Sequence, residues 1–262
     1  MAFLSVSMEK ISKAQIKLVR SLQQKKYRNE TGLFVAEGEK CVEELRKGFE
    51  LVHLYREGEN ATRTEIEQMS GLKNPQGIIG VFRKREALND NTVTHEFTDS
   101  LTLVLDGIQD PGNLGTIIRT CDWFGVRSVL CSQETADCYN PKVVQATMGA
   151  LARVRLYYLD LPAWFRLLTT HKQAPATTIY GTLLEGKDMY HLLEGEAKTC
   201  KKQNSQTIII MGNEGNGISQ AVRPFITHPI RIPSYPADAE TSESLNVAIA
   251  TAIVLAEFRR RE

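Results

Sequence analysis

The sequence lacks the features that mark secreted, membrane-spanning and zinc-binding proteins. Its five cysteines are scattered and form no Cys-x-x-Cys pair, which argues against both a disulfide framework and a structural zinc site. No apolar run approaches the ~20 residues that a membrane-spanning helix needs. The N-terminus has no basic segment ahead of a sustained apolar stretch, so a secretion signal is not expected. These absences predict a cytoplasmic protein with no metal and no membrane partner.

The net charge is also close to zero, at +1, so it indicates no particular partner by itself. The basic residues are nevertheless gathered near the start. Between Lys10 and Arg28 the chain carries lysines and arginines with almost no acid, and Tyr27 lies among them. The apolar residues there have helical spacing, which predicts an amphipathic helix with a basic outer face. Interleaved aromatic and basic side chains suit RNA contact through Lys25, Lys26 and Arg28, and a solvated helix face is the alternative.

Short strands and helices alternate along the chain, which predicts an α/β fold. Residues 1–85 are predicted to form a small α/β domain, and the polar, non-periodic residues 86–97 are predicted to form a linker. Residues 98–262 are predicted to form a second domain, a doubly wound and mostly parallel sheet that ends in a long helix. Its first strand is a near-continuous apolar run, as is typical of buried parallel strands.

Three segments of the second domain share one order of strand, polar or glycine loop, and helix. They are LTLVLDGIQDPGNLGTIIRTCDWFGV (101–126), TIIIMGNEGNGIS (207–219) and IRIPSYPADAETSESLNVAIATAIVLAEF (230–258). Loops at the carboxyl ends of strands in one α/β sheet meet at a single crevice, the usual ligand site of that architecture. The three loops together therefore predict an enzyme.

The first loop offers two candidate residues. Asp110, Pro111 and Gly112 are expected to form a tight turn, and Asn113 is a natural N-cap for the helix that follows. Arg119 lies on that helix among largely apolar positions, so its cation must reach a partner or a cleft. A structural salt bridge is the alternative for Arg119.

The second and third loops are less specific when each is taken alone. Glycines 212, 215 and 217 let backbone amides approach a ligand closely, although an ordinary strand-to-helix turn is the commoner case. Their spacing is neither that of a P-loop nor that of a dinucleotide-binding fingerprint. In the third loop Ser244 could be a simple helix cap. The small residues of the following helix allow close packing against a neighbouring element such as a second subunit.

Taken together, these motifs resemble a known family. DPGNLGTIIRT, the segment 212–219 and IPSYPADAETSESLNVAIA look like the three ordered motifs of the SpoU/TrmH branch of the SPOUT RNA methyltransferases. FVAEGEKCVEEL and NPQGIIGVFRK resemble the substrate-binding domain that precedes the catalytic domain in ribosomal RNA members. The resemblance implies a ribosomal-protein-L30e-like RNA-binding domain, then a SPOUT-like domain with a deep trefoil knot, and a homodimer formed through the C-terminal domain.

The resemblance further implies transfer of a methyl group from S-adenosylmethionine to a ribose 2′-hydroxyl in RNA, with ribosomal RNA as the expected substrate. By motif position, the catalytic or substrate-orienting residues are Asn113, Arg119, Glu214, Ser244 and Asn246. The cofactor-binding residues are Gly212, Ile232 and Leu245, mainly through backbone groups, together with Gly181 and Thr182 at a strand end.

The expected roles follow from the charge of two of these residues. A guanidinium resists deprotonation, so Arg119 is expected to grip the adjacent phosphate and polarise the hydroxyl. Deprotonation of the hydroxyl by Arg119, with help from the phosphate, is the alternative. Glu214 could favour the positively charged sulfonium donor, or it could only orient Asn113 or the loop.

The sequence departs from the family pattern at two places. The connection between Pro233 and Ser244 is longer than the usual glycine-containing one, and Cys121 stands where alanine is common. Cys121 is expected to be a small buried residue.

Three alternative functions remain. They are a non-catalytic RNA-binding or ribosome-assembly protein on the same fold, an enzyme acting on transfer RNA, and a nucleotide-dependent oxidoreductase. Intact Asn113, Arg119, Glu214 and Asn246 argue against the first, and the glycine spacing argues against the last.

Overall fold

The computed structural model describes residues 11–86, 101–170, 176–196, 205–236 and 244–260. The chain divides into two compact units. The first unit comprises the described parts of 1–86 together with 137–152, and the second comprises those of 87–136 and 153–262. Of the predicted linker at 86–97, only Glu86 belongs to the described residues. The linker therefore stays a prediction.

The described helices and strands follow one another along the chain. In order they are α1 (Lys13–Ser21), α2 (Lys25–Thr31), β1 (Leu33–Glu37), α3 (Glu39–Leu45), β2 (Leu51–Arg56), α4 (Arg63–Met69), β3 (Ile78–Arg83), β4 (Leu101–Asp106), α5 (Pro111–Trp123), β5 (Ser128–Ser132), α6 (Pro141–Thr147), β6 (Arg155–Leu159), α7 (Leu161–Thr170), β7 (Ala176–Asp188), α8 (Met189–Glu196), β8 (Ser205–Gly212), β9 (His228–Arg231) and α9 (Val247–Arg260). Single 3₁₀ turns lie at Ala150–Ala152 and Arg223–Phe225.

The first unit is built on a three-stranded antiparallel sheet in the order β1-β3-β2. The basic segment near the start forms two helices, α1 and α2, where the sequence predicted one amphipathic helix. A capping box at Ser12 begins α1, and Gly32, with a φ of 68°, ends α2 in the left-handed conformation that favours glycine. The apolar face of the segment packs as predicted, because Val19 and Leu22 are fully buried in the core of this unit.

Residues 137–152 group with the first unit, whereas the sequence prediction placed them in the second domain. The physical reason is that α6 and the residues before it cover apolar side chains of β1 and α3. The Tyr139 ring lies 4.9 Å from the Phe34 ring, measured between centroids, and the Cys41 Sγ lies 3.7 Å from the Val144 carbonyl oxygen. Side chains from distant parts of the sequence therefore share one core.

The second unit contains a six-stranded sheet in the order β6-β5-β4-β8-β7-β9, and every paired neighbour is parallel. The predicted α/β fold with a parallel sheet is confirmed. From β4 the chain moves outward through β5 to β6, and it then builds the other half with β7, β8 and β9. The strand order therefore reverses between β4 and β8, and ligands of open α/β sheets bind at such a switch point. The trefoil knot stays a prediction.

Within the described ranges, every helix is too short or too polar to cross a lipid bilayer.

Candidate active site

The loop after β4 begins the site and differs from the prediction in one respect. Asp110, not Asn113, is the N-cap of α5, because the Asp110 Oδ1 accepts a hydrogen bond from the Asn113 backbone N–H at 2.8 Å. Pro111 occupies the first helical position, where its missing N–H has no cost. The prediction that Asn113 caps the helix is therefore wrong. Since Asp110 does so, the Asn113 side chain can contact other loops.

The loop after β8 folds back tightly on itself beside the end of β4. Gly212 pairs in register with Asp106 of β4. A Cβ atom on Gly212 would lie 2.3 Å from the Gly217 carbonyl carbon, so only glycine fits there. Asn213 and Gly217 exchange two backbone hydrogen bonds, of 3.0 and 2.9 Å, across the loop. Glycine is therefore required at position 212 because the backbone of the same loop passes close to it.

Three polar side chains join the three loops in one hydrogen-bonded relay. The Asn113 Nδ2 donates to the Glu214 Oε1 at 2.7 Å, and the Asn246 Nδ2 donates to the Asn113 Oδ1 at 2.9 Å. The Asn246 Oδ1 accepts from the Ala248 backbone N–H at 3.0 Å, in the first turn of α9. The predicted convergence of the loops is therefore confirmed.

The relay also fixes which way both amides point. Because the side-chain oxygen of Asn246 accepts hydrogen bonds from N–H groups of α9, the amino group of Asn246 is the part that faces Asn113. The oxygen of Asn113 accepts that bond, so its amino group faces the Glu214 carboxylate. Of the roles considered for Glu214, orientation of Asn113 has a direct contact in the structure.

Arg119 lies further along α5, and its side chain is exposed. Among the described residues it has neither an ion pair nor a hydrogen bond, so the alternative of a structural salt bridge has no support in that part of the chain. A guanidinium without a protein partner keeps its five donors for a ligand. Ser244 is likewise exposed, just before α9.

Four of the residues predicted to bind the cofactor lie on, or directly after, neighbouring strands of one half of the sheet. Gly181 of β7 pairs in register with Ile210 of β8, and Thr182 pairs with Ile230 of β9. Thr182 also donates through Oγ1 to the Ile210 carbonyl at 3.1 Å. Gly212 ends β8. Ile232 comes directly after β9. Gly181 and Thr182 lie within β7, which continues to Asp188, so the prediction that they lie at a strand end is wrong, although the pairing of β7 with β8 does end at Gly181.

These residues suit S-adenosylmethionine by their chemistry. Leu245 is 48% exposed, and among the described residues its backbone groups make no hydrogen bond. Ile232 is half-buried and adds apolar surface, and Glu214 is an exposed carboxylate. Apolar surface with a few free backbone groups fits an adenine ring, and a carboxylate fits a sulfonium cation.

The three candidates for RNA contact in the first unit differ in how exposed their side chains are. Lys25 and Lys26 are exposed on α2, and the Lys26 Nζ lies 5.8 Å from the centroid of the Tyr27 ring. Arg28 is only 2% exposed. Its Nη2 lies 2.7 Å from the Asp137 Oδ2, and its Nη1 donates to the Leu22 carbonyl at 2.9 Å. The prediction that Arg28 contacts RNA needs correction, because a buried guanidinium with these partners cannot reach a phosphate.

The remaining reactive groups fit structural roles. Cys121 is fully buried, as predicted, and desolvation together with the neighbouring Asp122 carboxylate raises the pKa of its thiol. It is therefore unsuited to act as a nucleophile. Among the described residues, no group of histidine, cysteine, aspartate or glutamate side chains could hold a metal ion.

Sequence reasoning missed two residues that shape the site. The carboxylate of Asp106, the last residue of β4, accepts the Ser219 N–H at 2.8 Å, and the Asn213 Nδ2 donates to the Gly107 carbonyl at 2.7 Å. Both could have been found from their positions, because Asp106 is a polar residue at the end of a strand and Asn213 is one directly after a strand. Their partners lie more than a hundred residues away along the chain.

The chain matches known protein families over most of its length. The model of the SpoU rRNA methylase family matches residues 100–256, and that of the MRM3-like substrate binding domain matches residues 13–65. The 23S rRNA (guanosine(2553)-2′-O)-methyltransferase RlmP of Bacillus subtilis is 28% identical over 96% of this chain and 98% of its own length. The 23S rRNA (guanosine-2′-O-)-methyltransferase RlmB of Neisseria meningitidis is 31% identical over 71% of this chain and 69% of its own length.

A solved structure agrees with these matches along almost the whole length. The AdoMet-bound rRNA methyltransferase from Sinorhizobium meliloti is 29% identical, with a TM-score of 0.76 over 96% of this chain and 97% of that one. The three loop motifs, the parallel sheet and the family match all point the same way: this chain belongs to the SpoU rRNA methylase family.

Proposed function

We propose that this chain transfers the methyl group of S-adenosylmethionine to a ribose 2′-hydroxyl in ribosomal RNA. The observation that carries the proposal is the relay from Glu214 through Asn113 to Asn246, at the switch point of the parallel sheet. Two relatives that match most of the chain are named as 23S rRNA 2′-O-methyltransferases, which favours ribosomal over transfer RNA.

The proposed chemistry begins with the weakness of the nucleophile. S-adenosylmethionine supplies a methyl group bound to a positively charged sulfur. A ribose hydroxyl attacks it poorly unless the hydroxyl and the methyl group are aligned and the hydroxyl proton is removed. Alignment in a site can contribute up to about 7–11 kcal/mol in the best cases. Arg119 grips the phosphate next to the target ribose and polarises the hydroxyl, because its guanidinium has no other partner among the described residues. Transfer of the methyl group to the oxygen would break the carbon–sulfur bond and leave S-adenosylhomocysteine, and the hydroxyl proton would pass to the adjacent phosphate or to solvent. Removal of the proton by Arg119, with help from the phosphate, is the alternative.

Asn113 is suited to orient the target ribose. Its Nδ2 has two hydrogens and its Oδ1 has two lone pairs, and the relay uses one of each. The remaining hydrogen and lone pair can bind a hydroxyl group. Glu214 and Asn246 hold that amide in place, and the exposed Ser244 contacts the substrate from the segment just before α9.

The cofactor site is proposed beside the three adjacent strands β7, β8 and β9. Gly212, Ile232 and Leu245 bind S-adenosylmethionine, mainly through backbone groups. Gly181 and Thr182 line the same pocket from β7. The part of the long connection at 237–243 lies outside the described residues.

We further propose how the domains and partners divide the work. The first unit, built mainly from residues 1–85, is the RNA substrate-binding domain, with Lys25 and Lys26 as phosphate contacts, and the second unit, built mainly from residues 98–262 without 137–152, is the methyltransferase domain. The C-terminal domain forms a homodimer. Support for that comes from Trp123 and Ile249, which are 85% and 56% exposed on the neighbouring helices α5 and α9, an unusual exposure for large apolar side chains. The four cysteines of the described residues are buried and form no disulfide with one another, which fits a cytoplasmic location.

The proposal is tested by mapping 2′-O-methyl groups in ribosomal RNA from cells with and without the gene. We expect one site to lose its methyl group and to regain it when the gene is returned. Calorimetry with S-adenosylmethionine on the purified protein is the companion measurement. RNA binding without cofactor binding at millimolar concentration, together with unchanged methylation in cells, would instead support the non-catalytic RNA-binding alternative.

A further inference from the structure

Asn213 connects the loop that carries Glu214 to the end of β4. Its side chain makes three hydrogen bonds. The Nδ2 donates to the Gly107 carbonyl at 2.7 Å, and the Oδ1 accepts from the N–H groups of Gly215 at 2.9 Å and Asn216 at 3.1 Å. The backbone of Asn213 adds two further bonds to Gly217. One residue therefore shapes the loop after β8 and also fixes its distance from β4.

The partner of Asn213, Gly107, comes directly after β4 and makes a hydrogen bond of its own to another residue. Gly107 has a φ of 78°, which favours glycine, and its N–H donates to the Ser132 Oγ at 3.0 Å. Its carbonyl thus presents a fixed acceptor to Asn213. The far end of the β8 loop has a separate attachment, in which the buried Asp106 carboxylate accepts the Ser219 N–H at 2.8 Å.

These two attachments hold different ends of the same loop. Ser219 remains bound to Asp106 if the Asn213 side chain is removed, so the loop should stay folded as a whole. Glu214 follows Asn213 directly, however, and its carboxylate must stay 2.7 Å from the Asn113 Nδ2 for the relay to form. Loss of the bond to Gly107 therefore releases the end of the loop on which Glu214 lies.

We propose that Asn213 is a positioning residue for methyl transfer, acting through Glu214 on Asn113. This inference rests on the proposed function. Two properties of an amide side chain are needed, a donor for the Gly107 carbonyl and an acceptor for two backbone N–H groups. Aspartate supplies only the acceptor, and it would place a carboxylate against the Gly107 carbonyl oxygen.

The test is a double-mutant cycle on the single-turnover rate of methyl transfer to ribosomal RNA, with Asn213→Ala, Glu214→Ala and the double variant. We expect Asn213→Ala to lower the rate on the order of tenfold and to add little further loss in the Glu214→Ala background. Asn213→Asp should lose about as much as Asn213→Ala, because the bond to Gly107 is the one that matters. Asn216→Ala is the matched control, since the Asn216 side chain is exposed and only its backbone binds Asn213.

A purely structural role predicts a different pattern. It would lower the melting temperature of Asn213→Ala, whereas we expect that temperature to stay close to that of the wild type. All rates are measured well below the lowest melting temperature of the set. Losses that multiply independently in the double variant, or full activity in Asn213→Ala, would overturn the inference while leaving the proposed function intact. A wild-type protein that transfers no methyl group would overturn both.

Discussion

Two arginines in two helices show how differently the same side chain can be used in this chain. Arg28 of α2 lies within the basic run near the start and is 2% exposed, bound to Asp137 and to two backbone carbonyls. Arg119 of α5 lies among apolar residues and is exposed, with no partner among the described residues. The surrounding sequence suggests a surface role for the first and an enclosed one for the second, and the structure shows the reverse.

The difference follows from what each helix packs against. α2 places Arg28 in the interior of the first unit, where a charge persists only with partners, and Asp137 supplies one. α5 buries Leu114, Ile117, Ile118 and Cys121 and turns Arg119 outward. An exposed guanidinium stays hydrated, and because Arg119 has no partner among the described residues, its donors are available to a ligand. We therefore expect Arg28 to matter for stability and Arg119 for the proposed methyl transfer.

The largest expected effect is on folding, for Arg28→Ala. Removal of one member of a buried ion pair leaves the other charge uncompensated and costs about 3–5 kcal/mol of unfolding free energy. Denaturant titration should show this loss as a lower midpoint. Arg20→Ala is the matched control, because Arg20 is an exposed arginine on α1, and its effect should stay within about 0.5 kcal/mol. Equal midpoints for the two variants would show that the Arg28–Asp137 pair does not stabilise the unit.

The next effect is on catalysis, for Arg119→Ala. Loss of a cation that stabilises the developing charge should lower the single-turnover rate of methyl transfer by about 10²–10³-fold. Cofactor affinity and melting temperature should hardly change. Arg119→Lys should recover little, since an ammonium cannot reproduce a planar, multidentate grip.

Arg166→Ala gives the matched control for Arg119, because Arg166 is an exposed arginine on α7 of the same unit. It should leave the rate unchanged. A lowered melting temperature with wild-type turnover in Arg119→Ala would assign Arg119 a structural role and would remove the contrast with Arg28.

The smallest expected effects concern the two lysines beside Arg28. If Lys25 and Lys26 each contact one phosphate, changing either to alanine should reduce the slope of log affinity against log salt by about 1 and should weaken RNA binding regardless of sequence. Lys47→Ala is the control, since Lys47 is an exposed lysine that pairs with Glu44. An unchanged slope in both variants would place the RNA contact elsewhere.

The elements of this fold could largely be predicted from local sequence. The strands of the sheet core are predicted by the apolar runs of β4 and β8 and by the turn residues around them, because buried parallel strands are continuously apolar. The helices α7 and α8 were not predicted. They follow directly on β6 and β7, and their N-terminal aspartates, Asp160 and Asp188, accept hydrogen bonds from the backbone N–H groups of Ala163 and Tyr190.

The partners of individual polar groups could not be predicted in the same way. Asn113 and Glu214 are 101 residues apart, and Arg28 and Asp137 are 109 apart. Convergence of the three loops could be predicted from the parallel sheet. The N-cap of α5 could not, because Asp110 and Asn113 are both good N-cap residues, and only the structure shows that Asp110 is the one that caps the helix. The assignment of 137–152 to the first unit likewise depends on tertiary contacts with β1 and α3.

The central claim is methyl transfer to a ribose hydroxyl, and the most direct measurement identifies where the methyl group goes. Purified protein is incubated with ribosomal RNA that lacks the modification and with S-adenosylmethionine labelled in its methyl group, and the RNA is then digested to nucleosides. We expect the label in a single 2′-O-methylated nucleoside with the wild type and a greatly reduced amount with Arg119→Ala. Label on a base, or no label in RNA although the cofactor binds, would contradict the claim.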